Sequence, residues 1–317
     1  MDGLSRLSQI YEDRGLTSAL YRGSTYAVDL PLRKIYSLIF QYSYGSGIDV
    51  MDQDWDNLII LDACRYDYFS KQIELDGELK PVISKGAHSS EFIQKNFLGK
   101  KMHDTIYVTA NPYYNKLQKE NFYSVDHLFD QWNERFETIL PQDVVDRAIN
   151  AHNSHPNKRI IAHFMQPHIP YLGPTAKKIR NRVNLTGYGY TTTQKEKDNR
   201  GITWWRALDK GKITEKEIKK AYGETLDIVL EHAEKLIESL DGKSVITADH
   251  GEMLGERGVI QKRYAHPHDI YTEQLRKVPW FVPPFDFRRS VTAEQPLEFE
   301  KLDENTLDNR LRALGYK

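Results

Sequence analysis

Short apolar runs closed by polar residues alternate along this chain with longer stretches in which apolar residues recur at three- and four-residue spacing. Asn57-Leu58-Ile59-Ile60-Leu61-Asp62 is continuously apolar between polar ends and too short for a helix, which predicts a buried strand. Val82-Ile83-Ser84 and residues 105–109, 159–165, 244–247 and 278–282 predict further strands. Residues 91–97 read as a helix, and Pro141 opens another that runs to about residue 153, proline being well tolerated in a first helical turn. Residues 215–240 carry the strongest helical pattern. Ile218, Ala221, Tyr222, Leu226, Val229, Leu230, Ala233, Leu236 and Ile237 share one face, and Asp241-Gly242 stops it. Residues 303–314 predict a C-terminal helix. Strand and helix alternate throughout, which argues for an α/β fold with a mostly parallel sheet flanked by helices.

Residues 1–50 mix helical pattern with turn signals that end in Tyr44-Gly45-Ser46-Gly47, and read as an N-terminal extension packed on a main domain of residues 51–317. At about residues 175–212 the chain turns polar and aromatic, with Gly187-Tyr188-Gly189-Tyr190 and then Trp204-Trp205. That stretch reads as an insertion or lid rather than a regular element.

The whole chain has 317 residues, a common length for one α/β domain. Lys and Arg total 44 against 45 Asp and Glu, a formal charge of -1, so nothing electrostatic favours nucleic acid or an anionic membrane as partner. One cysteine, Cys64, rules out an intrachain disulfide and fits an intracellular setting. The start Met-Asp-Gly-Leu-Ser lacks a basic stretch followed by an apolar one, and residues 35–40 fall far short of the ~20 needed to span a bilayer. A cytoplasmic location is expected, and the Tyr-, Leu- and Ile-rich residues 26–45 leave room for peripheral membrane contact.

The chemistry gathers where strands end. Ser244-Val245-Ile246-Thr247-Ala248 empties into Asp249-His250-Gly251-Glu252, which sets a hard oxygen and an imidazole at the carboxyl end of a strand. Asp62 ends the first strand; it suits a metal ligand or the cap of a following helix. His168 is presented between Pro167 and Pro170. His266 and His268 flank Pro267 downstream, whereas His163, inside a strand, reads as a satisfied core histidine. Ser89 and Ser90 lie in a small-residue turn before a helix. Either can be an N-cap, or a nucleophile whose anionic ester the free N–H groups of the helix would stabilise. Cys64 has no histidine close in sequence, and Arg65 and Asp67 suit a local pair that fixes the loop.

Together these segments resemble the alkaline phosphatase superfamily, sulfatase-like branch, over residues 55–285 or so. Asn57 to Asp62 is similar to that family's first strand, whose terminal Asp binds metal. His163-Phe164-Met165-Gln166-Pro167-His168-Ile169-Pro170-Tyr171 is similar to the segment whose proline-flanked His contacts the substrate anion, and Thr247-Ala248-Asp249-His250-Gly251-Glu252 to the Asp-His-Gly-Glu signature. The strand Val278-Pro279-Trp280-Phe281-Val282 is similar to the closing one.

The resemblance implies an α/β/α sandwich that transfers or hydrolyses phosphate or sulfate esters through a covalent intermediate on the nucleophile. It implies a divalent cation (Zn, Mn, Mg or Ca) on Asp62, Ser89, Asp249 and His250, and a catalytic role for Ser89 and His168. Ser90 is the fallback nucleophile, and His266 serves substrate binding or a second metal. Substrates would be small-molecule, glycan-linked or lipid-linked esters. Ser89 is followed by Ser90-Glu91-Phe92-Ile93 rather than a Pro-Ser-Arg context, so formylglycine formation is not supported. Gln166 stands near the place where two-metal members carry an Asp, which favours one strong metal site. A phosphate-ester hydrolase or transferase leads; a sulfatase or phosphonate hydrolase using unmodified serine, and a non-catalytic metal-binding member, are the alternatives.

Overall fold

The computed structural model describes residues 31–185, 202–257, 262–268 and 270–314. A helix over residues 31–44 (α1) precedes β1 (Asn57–Leu61), α2 (Tyr66–Gln72), β2 (Glu78–Ile83), α3 (Ser89–Asn96), β3 (Met102–Thr109) and β4 (Phe122–His127). Then come α4 (Pro141–Ser154), β5 (Arg159–Phe164), α5 (Gly173–Arg182), α6 (Trp204–Asp209), α7 (Glu215–Ser239) and β6 (Ser244–Ala248). The hairpin β7 (Met253–Arg257) and β8 (Lys262–Ala265), α8 (Glu273–Arg276), β9 (Lys277–Val282) and α9 (Glu304–Ala313) complete the order.

Seven strands form one sheet in the order β2-β9-β6-β1-β5-β3-β4. β1 runs parallel to β5 and β6, and β3 parallel to β4 and β5; β9 alone is antiparallel to its neighbours β6 and β2. Side chains alternate between the faces of a strand, yet Leu58, Ile59, Ile60 and Leu61 are all fully buried, so helices cover both faces of β1. The α/β/α sandwich expected from the sequence is the fold observed.

On one side Phe92 of α3 and Phe97, which ends that helix, set their rings against His163, Tyr107 and Phe122. The long helix α7 starts with a capping box, in which Thr214 Oγ1 accepts the Glu217 N–H and Glu217 accepts the Thr214 N–H; its apolar stripe is buried.

The differences from the sequence reading have local causes. β4 sets Phe122, Tyr123 and Val125 among polar residues over six positions, too short and irregular a pattern to stand out. α5 and α6 are helical although their stretch reads as irregular. α5 opens on Gly-Pro and buries only Thr175, Ala176 and Ile179, leaving a polar helix whose pattern is faint. Residues 186–201, the aromatic-glycine part of the expected insertion, lie outside the described residues, as do residues 1–30 of the expected N-terminal extension. α1 buries Phe40, Ser37 Oγ accepts the Tyr271 N–H at 3.0 Å, and the Tyr44 hydroxyl donates to Glu273 at 2.6 Å. Among the described residues no helix is long and apolar enough to cross a membrane.

The parallel arrangement has one consequence for chemistry: β1, β3, β5 and β6 point their carboxyl ends at the same sheet edge, where α/β proteins assemble sites.

Candidate metal centre

Asp62 follows β1, Asp249 and His250 follow β6, Asn111 follows β3, and His168 follows β5, so the sheet brings together residues far apart in sequence. Ser89 joins them from the first turn of α3. The cap of that helix is neither serine. His88 takes the position, its Nδ1 accepting the Glu91 N–H at 3.3 Å, because an imidazole nitrogen reaches the free backbone donors as a hydroxyl would. Burial and the neighbouring imidazoles of His268, His250 and His266 push the His88 ring down to about 2, which keeps it a neutral acceptor.

Relieved of capping, Ser89 directs its hydroxyl inward: Oγ lies 3.2 Å from Asp62 Oδ2 and 3.2 Å from His250 Nε2. The Ser90 hydroxyl is instead engaged by the Lys116 ammonium. Of the two serines, Ser89 is the one whose hydroxyl faces Asp62 and His250.

Asp62, Ser89, Asp249 and His250 are all completely buried. One Asp249 oxygen, Oδ1, accepts the backbone N–H of Ala63 at 3.1 Å and of His250 at 2.8 Å. His250 Nε2 stands 3.4 Å from Asp62 Oδ1 and 3.5 Å from Asp249 Oδ2. Its Nδ1 faces the Gly251 carbonyl oxygen at 2.7 Å; a carbonyl only accepts, so Nδ1 carries hydrogen and Nε2 is the atom turned to the carboxylates. Burial alone would depress the His250 ring, but the negative charges of Asp249 and Asp62 outweigh it and lift the ring to about 9. The same coupling, with hydrogen bonds from neighbouring side chains, overcomes burial and holds the Asp249 carboxyl below the ordinary carboxylate range. Two carboxylates sealed from water demand a positive charge. Asp62, Asp249, His250 and the Ser89 oxygen are donor types that could hold a divalent cation, which would meet that demand.

Three participants escaped the sequence reading. Asn111 donates from Nδ2 to Asp62 Oδ2 at 2.8 Å. His163, expected to be a satisfied core residue, has its Nδ1 against the Tyr107 hydroxyl at 2.7 Å, but its Nε2 lies 3.7 Å from Asp249 Oδ2, and its donor atom clusters with those of Asp62 and Asp249. Glu252, the last residue of the signature, gathers with His168 and His266, the ligand atoms all within 4.8 Å of one another. Burial pushes the Glu252 carboxyl up to about 7. A pair and a third group were thus visible as candidate letters in the chain, but only the register of β5 beside β1 and the return of the hairpin β7–β8 make them neighbours. His268 is exposed, with Nδ1 2.9 Å from His88 Nε2.

The turns are clamped. Arg65 donates from Nε and Nη2 to Asp67 at 2.8 Å each, as the sequence suggested, and from Nη1 to the Glu252 carbonyl at 3.2 Å and to the Glu256 carboxylate. It thereby ties the turn after β1 to the turn after β6. Gly251 is required at the latter turn: a Cβ there would lie 2.1 Å from the Gln274 carbonyl oxygen. Cys64 is buried, and burial raises its thiol well above its usual range, so it is an inert core residue.

No known family model matches the chain, and no curated protein matches it. Solved structures are similar in fold. The C-terminal periplasmic domain of EcEptC from Escherichia coli, complexed with Zn, is 14% identical with a TM-score of 0.47, the match covering 74% of each chain. The soluble domain of lipooligosaccharide phosphoethanolamine transferase A from Neisseria meningitidis is 15% identical with a TM-score of 0.42, covering 71% of this chain and 75% of that one. A 2-O GAG sulfatase is 10% identical with a TM-score of 0.47, covering 72% and 63%. At these values the function has to be read from the side chains.

Proposed function

We propose that this protein is a metal-dependent hydrolase or transferase of phosphate esters that works through a covalent intermediate on Ser89. The observation that carries the reading is the position of Ser89 Oγ, buried and 3.2 Å from both Asp62 Oδ2 and His250 Nε2 at the start of a helix. A serine placed to cap a helix or to fill a core has no need of two metal-ligand side chains at its oxygen. A divalent cation held by Asp62, Asp249 and His250 supplies Lewis acidity that lowers the hydroxyl's pKa and offsets phosphoryl charge.

The chain's own groups do the rest. The Ser89 Oγ–P bond forms as the P–O bond to the leaving alcohol breaks, and the alcohol departs with a proton. Water or an acceptor hydroxyl then attacks phosphorus and releases Ser89. Asp62 accepts a hydrogen bond from Ser89 and is itself held by Asn111, so the attacking oxygen is oriented before substrate arrives. Ser89 stands in the first turn of α3, and a helix N-terminus favours an anionic ester. His168 and His266, buried beside His250, would meet non-bridging oxygens or a leaving group. The substrate is an ester on a small molecule, a glycan or a lipid.

The test is a panel of aryl phosphate, phosphodiester and aryl sulfate substrates, with Mn²⁺, Mg²⁺ and Zn²⁺, on the wild type and Ser89→Ala. Phosphate-ester turnover should fall on the order of 10³-fold or more in Ser89→Ala, a loss typical of nucleophile removal. Full metal-dependent turnover in that variant would sink the mechanism, and sulfate turnover exceeding phosphate turnover would move the substrate class.

A further inference from the structure

Tyr107 of β3 and His163 of β5 are both completely buried, and the sheet register sets them on one face. Thr109 pairs with His163 across the two strands, and Tyr107 stands two residues before Thr109 on the same face. Ile60 of β1 pairs with His163 on one side and with Thr247 of β6 on the other, two residues short of Asp62 and of Asp249. Phe92 and Phe97 wall the pair in, with ring centroids 6.5 Å from His163 and 5.4 Å from Tyr107. A hydroxyl and an imidazole buried among aromatic rings are costly unless they bond to each other, and Tyr107 Oη lies 2.7 Å from His163 Nδ1. That bond leaves Nε2 over, and Nε2 lies 3.7 Å from Asp249 Oδ2.

The direction of the Tyr107–His163 bond decides what Nε2 can do. Burial holds the Tyr107 phenol far above its usual range, so the hydroxyl keeps its proton and needs an acceptor. A neutral imidazole that accepts at Nδ1 carries its hydrogen on Nε2, which turns an N–H toward the Asp249 carboxylate. The opposite tautomer would set an imidazole lone pair against a carboxylate, a repulsion that a low dielectric magnifies. We infer that Tyr107 and His163 are positioning residues: Tyr107 fixes the His163 tautomer, and His163 Nε2–H orients the Asp249 carboxylate for the cation proposed at this edge. His163 acts through Asp249 and is not itself a ligand, although its donor atom clusters with those of Asp62 and Asp249. At 3.7 Å the contact exceeds a hydrogen bond, so it steers the carboxylate by charge. Asp249 Oδ1 is already held by the N–H groups of Ala63 and His250, which leaves Oδ2 for His163 to act on. β3 thereby supports both carboxylates: Asp249 through Tyr107 and His163, and Asp62 through Asn111, which follows the same strand. The inference rests on reading Asp249 as a ligand in the proposed phosphate-ester site.

The test reads the imidazole directly, independently of turnover. The full chain carrying isotope-labelled histidine is studied metal-free by long-range proton–nitrogen correlation, the His163 signals being those absent from His163→Gln. The wild type should show hydrogen on Nε2 and none on Nδ1, with the same tautomer after Zn²⁺ is added. Tyr107→Phe should show a mixture of tautomers. Competition with a chelating dye should find Zn²⁺ affinity reduced about 10–100-fold in Tyr107→Phe and His163→Leu, as for other residues that orient a ligand. His163→Gln should restore most of it, because its amide N–H takes the place of Nε2–H; a plain packing role would leave Gln no better than Leu. Should His163→Leu not fold, Tyr107→Phe, which removes a single buried oxygen, gives both readouts. Hydrogen on Nδ1 in the wild type, loss of the Nε2 hydrogen on adding Zn²⁺, or wild-type affinity in a folded Tyr107→Phe overturns the inference. The expected tautomer and affinities without ester turnover would leave it standing and remove the proposed function. Wild-type affinity in Tyr107→Phe, with turnover that Ser89→Ala abolishes, would do the reverse.

Discussion

At the scale of single residues, the site was legible wherever a chemically distinctive side chain ends a strand. Asp62, Asp249 and His250 announce themselves because a run of buried apolar residues has no reason to end in a charge unless something uses it. Ser89 was legible only as one of two, and the choice needed the third dimension: Lys116 engages Ser90, while Asp62 and His250 meet Ser89. Asn111 was not legible at all. An asparagine before a proline looks like a turn residue, and it is one, since its Oδ1 accepts the Tyr113 N–H at 3.0 Å. Its other end reaches Asp62 only because β3 lies two strands from β1 with its carboxyl end at the same edge. Such a support would orient a ligand of the proposed cation rather than bind the cation itself. Asn111→Ala should therefore weaken Zn²⁺ affinity by about 10–100-fold, read by competition with a chelating dye, while the melting temperature of the metal-free protein changes little. Unchanged affinity would make Asn111 a turn residue and nothing more.

At the scale of elements, strands and long helices were recovered with ends shifted by a residue or a few, because burial on both faces or a sustained apolar stripe leaves a strong pattern. Six-residue β4, polar α5 and the β7–β8 hairpin left weak ones. The hairpin is the costly omission, since β7 starts right after Glu252 and β8 ends right before His266. Packing of α4 on the sheet also carries a pH dependence. His152 near its end is buried and its Nδ1 sits 2.9 Å from Arg289 Nη1, which itself donates nearby to Asn57 and to the Asp56 carbonyl through Nη2. Burial first, and the Arg289 charge second, hold the His152 ring below its usual 6.5. The unfolded chain thus binds this proton more readily than the folded one. The contribution of neutral His152 is complete above pH 6.5 and is lost as pH falls through the depressed folded value. Urea titrations between pH 7.5 and 5 should show stability falling more steeply in the wild type than in His152→Gln, with a ceiling of about 1.4 kcal/mol per pH unit for one group. Parallel curves would remove His152 as a contributor.

At the scale of the whole molecule, a mostly parallel sheet flanked by helices followed from alternation of strand and helix patterns, the α/β/α sandwich from the resemblance, and the strand order from neither. Nothing in residues 57–61 says that β5 and β6 will flank β1, yet that adjacency is what converts three distant strand ends into one centre. The antiparallel β9 beside β6 was likewise unreadable, because a strand's direction leaves no mark on its own composition.

The central claim is that Ser89 becomes covalently phosphorylated during turnover. Rapid acid quench of the metal-loaded protein with an aryl phosphate, followed by peptide mass spectrometry, measures this directly. The account predicts a phosphate on Ser89 that disappears in Ser89→Ala together with turnover. Phosphate found on Ser90 instead, or steady turnover with no phosphoserine at any quench time, would contradict it.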